Sequence, residues 1–189
     1  LRKFEYEKYA SLIALVALFA IASILSPYFL QLQNVLNILR QVSYTGIIAL
    51  GMTFVIISGG IDLSVGSVAA FVGAVCILTL NAILPIVGNE FLAVTLAILA
   101  GLAIASLCGA LNGILITRGR IAPFIVTLGT MAIFRSLALF IGNAGEVRSN
   151  SNLFGNFGMN SVAMVPVPVF VMLILAALLA VTLNQTRYG

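Results

Sequence analysis

Most of the side chains able to do chemistry gather in one stretch, Ile57-Ser58-Gly59-Gly60-Ile61-Asp62-Leu63-Ser64-Val65-Gly66-Ser67. Here two long apolar runs meet across paired glycines, one acid and several hydroxyls. Gly59-Gly60 reaches backbone angles that other residues adopt only at a cost, so it can end a helix sharply. Asp62 or Ser64 can then accept a hydrogen bond from the first free N–H groups of the next helix. The stretch reads as helix, break, capped helix. Asp62 is also the only acid between Glu7 and Glu90. Acids at membrane depth mark ion paths and binding sites, whereas a helix cap accounts for Asp62 with no ligand at all.

Arg135 is the one basic group deep inside an apolar run. It can snorkel to an interface, pair within a bundle or face a polar pathway. Asn81 and Asn112 stand in otherwise apolar segments, where a hydrogen bond between helices is the expected use. Cys76 and Cys108, both in uncharged runs, read as small apolar side chains rather than a disulfide or a metal pair. There is no Gly-x-x-x-x-Gly-Lys-Ser/Thr phosphate loop, no His for a triad, no Cys pair at metal spacing and no close pair of acids. The chain is therefore expected not to be an enzyme and to hold neither metal nor cofactor of its own. Its work must be to pass something across the membrane, or to hold something within it.

The elements that position these residues follow from composition. Of 189 residues, 62% are apolar and 7% charged, against about 45–50% and about 25% in soluble domains. So few charges cannot cover the surface of a soluble fold of this size, and the chain reads as an integral membrane protein. The net charge of +4 does not indicate nucleic acid, because the basic residues sit at the ends of apolar runs rather than in a patch.

The fold class expected is all-α and polytopic, with about six transmembrane helices at residues 9–25, 42–57, 64–84, 91–117, 121–142 and 162–183. A tail at 1–8 precedes them, and 34–41 reads as a short interfacial helix. The first run also has the look of a cleavable signal peptide, but Glu5 and Glu7 dilute its basic start and further spans follow. The runs on either side of the glycine break would together reach about 60 Å as one helix, twice the bilayer core, so two spans and a tight turn fit better. On the fourth run Ala97, Gly101, Ala105, Gly109 and Gly113 recur every fourth residue, a small-residue stripe suited to close helix packing. Pro123 falls in the first turn of the fifth, where its missing N–H costs little. Residues 143–165, rich in Asn and Gly, read as an external solvent loop.

Lysine and arginine counts set an orientation. Arg2, Lys3, Lys8, Arg118, Arg120 and Arg187 would lie on one side and Arg40 and Arg148 on the other, six against two. That favours both termini inside (N-in, C-in). The glycine break then lies at the inner side and loop 143–165 outside. The chain begins at Leu1 without Met and stops after Arg187-Tyr188-Gly189, and is expected to be a piece of something longer.

Six segments carry a resemblance. Leu36 to Gln41, Ala49 to Ile56 and the Gly59–Ser67 stretch resemble the membrane permease subunit of bacterial ribose-type ABC importers of simple sugars. So do Asn112-Gly113, Thr117 to Met131 and the closing Asn184 to Gly189. The resemblance implies a permease of the bacterial inner membrane that works as a pair, as a homo- or heterodimer. It implies a separate cytoplasmic ATPase, which carries the ATP and Mg, and a periplasmic sugar-binding protein that delivers substrate. It also implies that this chain is the N-terminal part of such a permease, and that the ATPase-coupling loop lies just beyond Gly189.

Sugars are neutral and polar, so their path needs hydroxyls, amides and small residues rather than fixed charge. Ser58, Gly59, Gly60, Asp62, Ser64 and Ser67 are the candidate pathway or gate at its inner end, with Arg135 a further candidate. Glu146 and Arg148 are the candidate docking charges for the binding protein. A carrier driven by an ion gradient and a non-transporting scaffold are the competing readings. The first of these would need a titratable residue in its path.

Overall fold

A computed structural model of the chain describes residues 6–186. In order it contains α1 (Tyr6–Leu25), α2 (Leu32–Ile57), α3 (Val65–Val87), α4 (Glu90–Thr117), α5 (Pro123–Ile141), α6 (Asn152–Met159), a two-stranded hairpin of β1 (Ser161–Val162) and β2 (Val165–Pro166), and α7 (Val167–Gln185). Among the described residues α2, α3, α4, α5 and α7 are long and apolar enough to cross a membrane. The apolar part of α1, Tyr9–Leu25, is shorter, about 26 Å of helix.

The distribution of side chains is the reverse of a soluble core. Ser43, Ser64, Thr127, Thr130, Asn112, Ala93 and Ala97 are among the buried residues, while Ile24, Ile86, Phe140 and Phe91 are exposed. Small and weakly polar residues inside, with bulky apolar ones outside, is what packing in lipid selects. Hydroxyls follow the same rule. Ser23, Ser43, Thr45, Thr53, Thr95, Ser106 and Thr182 each donate to the carbonyl four residues earlier, so none presents a bare polar group to hydrocarbon.

The long helices pack in two groups, α3 with α4 and α5, and α2 with α7. α3 and α4 form a hairpin over two residues. Gly88 in the left-handed conformation (φ 65°) closes α3, and the Asn89 side chain caps α4 by accepting from the Leu92 N–H at 3.1 Å. Leu80, Ala93 and Ala97 form the centre of that pair. Gly101 lets α4 sit against Cys76, whose thiol donates to the Ala97 carbonyl at 3.3 Å. Both Cys76 and Cys108 are free thiols. Phe71 and Phe134 stack at 5.7 Å between α3 and α5. At Gly46 of α2 an added Cβ would run into Met172 Sδ of α7.

Several expected boundaries are corrected. The interfacial helix at 34–41 and the span at 42–57 are one helix of 26 residues, about 39 Å long. No breaker separates them, and the extra length over a core of about 30 Å carries its polar first turns out of the hydrocarbon. α3 runs past 84 through Pro85 to Val87. Loop 143–165 is not simply solvent loop, because it folds into α6 and the hairpin. The last span starts at Val167 rather than 162, since Ser161–Pro166 turns at Ala163 and Met164, both at positive φ, and Pro166 sits at the helix start. Most of the tail at 1–8, and Arg187, lie outside the described residues.

These contacts separate glycines that pack from glycines that do not. Gly101→Leu is expected to destabilise by about 1–3 kcal/mol through overpacking against Cys76. Gly73→Ala, with nothing within 4 Å of an added Cβ, should be neutral or gain up to about 1 kcal/mol from helix propensity. Thermal unfolding of the detergent-solubilised protein measures both.

Candidate functional site

The break between α2 and α3 is built by hydrogen bonds that the sequence supplies locally. Gly60 N–H reaches the Val55 carbonyl at 2.9 Å and Gly59 N–H the Ile56 carbonyl at 2.9 Å, the paired closure of a Schellman end. Gly59 takes φ 77°, which a side chain would resist. Ser58 Oγ donates back to the Val55 carbonyl at 2.8 Å. The chain then runs non-helically to Ser64.

Asp62 does not cap the first free N–H groups of α3 as expected. Its Oδ1 accepts from the Ser64 N–H at 2.7 Å and from the Ser64 hydroxyl at 2.6 Å, a turn closed ahead of the helix rather than a cap within it. Ser64 holds the N-cap position without a side-chain cap bond. Its hydroxyl also accepts from Asn112 Nδ2 of α4 at 2.9 Å. Ser67 donates to the Ser64 carbonyl at 2.7 Å. From α5, the Thr127 hydroxyl donates to the Pro123 carbonyl at 2.8 Å and reaches the Ile61 carbonyl at 3.4 Å. One directed chain thus runs from the Asn112 amide through the Ser64 hydroxyl to the Asp62 carboxylate, and it fastens the break to α4.

A cavity of about 450 Å³ lies between this break and the adjacent ends of α4 and α5. Ser58, Asp62, Asn112, Thr117 and Thr127 give its walls their polar side chains, and Gly109 and Gly113 give it width. Among the described residues no Lys or Arg lines it. Asn112 Oδ1 is buried without a hydrogen-bond partner. Among the described residues no group of His, Cys, Asp and Glu gathers that could hold a metal ion.

Of the candidate pathway residues, Ser58, Gly59, Gly60 and Asp62 line the cavity, while Ser64 and Ser67 stand behind it as braces. Arg135 is not brought there. It lies about 18 Å along α5 from Pro123, exposed on the helix surface. The small-residue stripe also divides. Ala97 and Gly101 are buried, whereas Gly109 and Gly113 have no atom within 4 Å of an added Cβ and open onto the cavity. The cause is phase. Every fourth residue advances about 40° round a helix of 3.6 residues per turn, so Gly113 stands about 160° from Ala97. Among the polar lining residues, Asn112, Thr117 and Thr127 were those missed at the site. Asn112 bonds a non-helical segment rather than a helix body, and Thr127 carries no local signal beyond its place one turn after Pro123. Asn81, expected to bridge helices, instead takes the backbone of the segment before α6, donating to the Arg148 carbonyl and accepting from the Asn150 N–H, both at 2.8 Å. Glu146 and Arg148 pair with each other at 2.8 Å on the exposed surface.

Helices of spanning length, an apolar exterior and a braced helix break beside a cavity define a multi-pass, all-α protein of the bacterial inner membrane. The family described as "Branched-chain amino acid transport system / permease component" matches residues 34–189, and the chain belongs to that family. It is 42% identical over 183 residues to the ribose import permease protein of Escherichia coli K12, covering 95% of this chain and 54% of that protein. It is 40% identical over 186 residues to the ribose import permease protein of Bacillus subtilis 168, covering 97% and 55%. The D-allose transport system permease protein of Escherichia coli K12 matches at 40% over 186 residues, again 97% and 55%. The chain spans about half the length of these curated relatives. No solved structure matches it significantly.

The hydrogen-bond chain makes a measurable claim. Ser64→Ala leaves the buried Asn112 amide without its acceptor and should cost about 1–3 kcal/mol. Asn112→Leu added to it should cost less than the sum of the two, because they share one interaction. Thermal unfolding of the single and double variants tests this.

Proposed function

We propose that this chain is the translocation part of an ATP-driven, binding-protein-dependent importer of a simple sugar, ribose or another monosaccharide. The observation that carries the proposal is identity of about 40% along nearly the whole chain to permeases named for ribose and allose. The family description names branched-chain amino acids, but the cavity favours a neutral solute. A zwitterion calls for a cation and an anion in its path. Among the described residues the single acid on the walls, Asp62, has one oxygen already engaged by Ser64, and no basic side chain lines them. Hydroxyl, amide and backbone groups suit a sugar. Among the described residues no aromatic ring lines the cavity to hold one tightly, which suits passage rather than storage.

On this reading the energy comes from a separate cytoplasmic ATPase that carries ATP and Mg, and the membrane unit contains a second permease subunit. A periplasmic sugar-binding protein docks at the end bearing Glu146 and Arg148. The break residues Ser58 to Ser64 gate the inner end of the path. The test uses the full-length protein with its ATPase and binding protein in liposomes, following a panel of labelled sugars with and without ATP at the nucleotide-binding side. ATP-dependent uptake of one sugar is expected. Uptake that ignores ATP and collapses with an ion gradient overturns the proposal. In the same assay Asp62→Ala should lower uptake about tenfold, equivalent to about 1.4 kcal/mol of barrier, and a normal rate in a correctly assembled variant removes the gating role. Charge reversal at Glu146 and Arg148 together should weaken binding-protein docking, and unchanged affinity at low salt would exclude these two as docking charges.

A further inference from the structure

The end of the bundle remote from the glycine break is joined differently. α6, eight residues and about 12 Å long, packs on α4 of one helix group and on α7 of the other. Its N-terminal end belongs to the α3–α4 side. Glu90, the first residue of α4, takes the Ser151 hydroxyl at 2.7 Å and the Leu153 N–H at 2.9 Å on a single carboxylate oxygen. Ser151 is buried and in turn caps α6 by accepting from the Phe154 N–H at 3.0 Å. The Phe154 ring packs against the Leu80–Ala93–Ala97 cluster, and Asn81 of α3 grips the segment just before it.

The C-terminal end of α6 belongs to α2. Arg40 Nη2 donates to the Met159 carbonyl at 3.0 Å, and the Tyr44 hydroxyl donates to the Gly158 carbonyl at 3.3 Å. Gly158 permits that approach, since an added Cβ would lie 3.2 Å from the Tyr44 oxygen. A second bond from Arg40, Nη1 to Asn37 Oδ1 at 2.9 Å, fixes the guanidinium on its own helix. A carboxylate from one group therefore meets the positive end of the α6 dipole, and a guanidinium from the other group meets its negative end. Arg40 lies about 26 Å along α2 from Ile57, the full length of the bundle away from the cavity.

We infer that α6 is a crossbar holding the two helix groups at a fixed separation, with Glu90 and Arg40 as the positioning residues at its two ends. Apart from α6 and the hairpin that leads from it into α7, the chain joins the groups through the Gly59-Gly60 break at the opposite end, so the length and attachment of the crossbar set the width of the cavity there. The inference borrows from the permease reading only the idea that the groups move relative to each other. Neither sugar, ATP nor any partner enters its test.

A strap with two ends is a link in series, and that gives the test its form. Cutting either end should have the same effect, and cutting both should add nothing. The readout is the rate at which a membrane-impermeant thiol reagent labels Ser58→Cys at the cavity, in a cysteine-free background of the full-length permease in membrane vesicles. Glu90→Ala and Arg40→Ala are each expected to change that rate about fivefold or more, within the usual range of coupling between distant sites. The sign should be the same for both, and the double variant should match either single. Glu90→Gln, which keeps the accepting oxygen but loses the charge, should fall between wild type and Glu90→Ala. Should either alanine variant fail to insert, Glu90→Gln and Tyr44→Phe cut the same two ends more gently. Additive effects, effects of opposite sign, or an unchanged rate at Ser58→Cys overturn the inference. A change confined to labelling of Asn156→Cys on α6 overturns it too, because it would show attachment without coupling. Failure of the uptake assay would leave this result standing, and the reverse also holds.

Discussion

Backbone polar groups that leave water in this chain need partners inside the protein, and the non-helical stretch from Ser58 to Ser64 is where that constraint acts most strongly. A helix satisfies its own backbone; a break does not. Here the break is closed from both sides. The end of α2 folds its last carbonyls onto Gly59 and Gly60, while Asp62 absorbs two donors from Ser64. Asn112 and Thr127 reach in from neighbouring helices to complete the count. Because these partners come from α4 and α5, the break cannot be satisfied until those helices are in place. Local turn and tertiary packing are thus one requirement, and the cavity is what remains when the chain meets it.

That requirement also explains the chemistry of the site. The side chains that brace the break are short and uncharged apart from Asp62, and they present hydroxyl, amide and carbonyl groups to the space beside it. A neutral, hydroxyl-rich solute can exchange hydrogen bonds with such a wall without a charged group having to be stripped of water. An ionic solute would meet a far steeper desolvation cost in the same place. The relatives named for ribose and allose and walls on which Asp62 is the one charged side chain among the described residues are independent observations.

The parts of this structure that were legible in the sequence are those whose cause is local. The glycine pair ends its helix through bonds within five residues, Pro123 starts α5, and the apolar runs locate the spans. What was not legible depends on distant partners. The polar residues of α2 look interfacial in isolation, yet Asn34 and Arg40 donate to the carbonyls of Phe29 and Met159, the latter far away in sequence. The asparagine- and glycine-rich segment before α7 looks like coil, and α6 exists within it because Ser151 and Glu90 hold its first turn. The role of Asn112 could be narrowed to a hydrogen bond but not to the break, since nothing near it in sequence points there. The small residues of α4 were misjudged for a geometric reason, the drift of a four-residue repeat on a helix of 3.6.

That drift has a consequence for how α4 can vary. Its upper turns present small residues to α3 and its lower turns present them to the cavity, so one surface acts as seam and then as wall, like the thread of a screw. The two functions are locked in register by the number of residues between Gly101 and Gly109. Deleting or inserting one residue there would turn the lower half by about 100° and swing a bulky apolar face toward the break. An insertion of eleven residues, three turns to within about 20°, would restore the angle but lengthen the helix by about 16 Å. Side chains along α4 can therefore be exchanged one at a time, while its residue count is fixed as strictly as the thickness of the membrane it crosses.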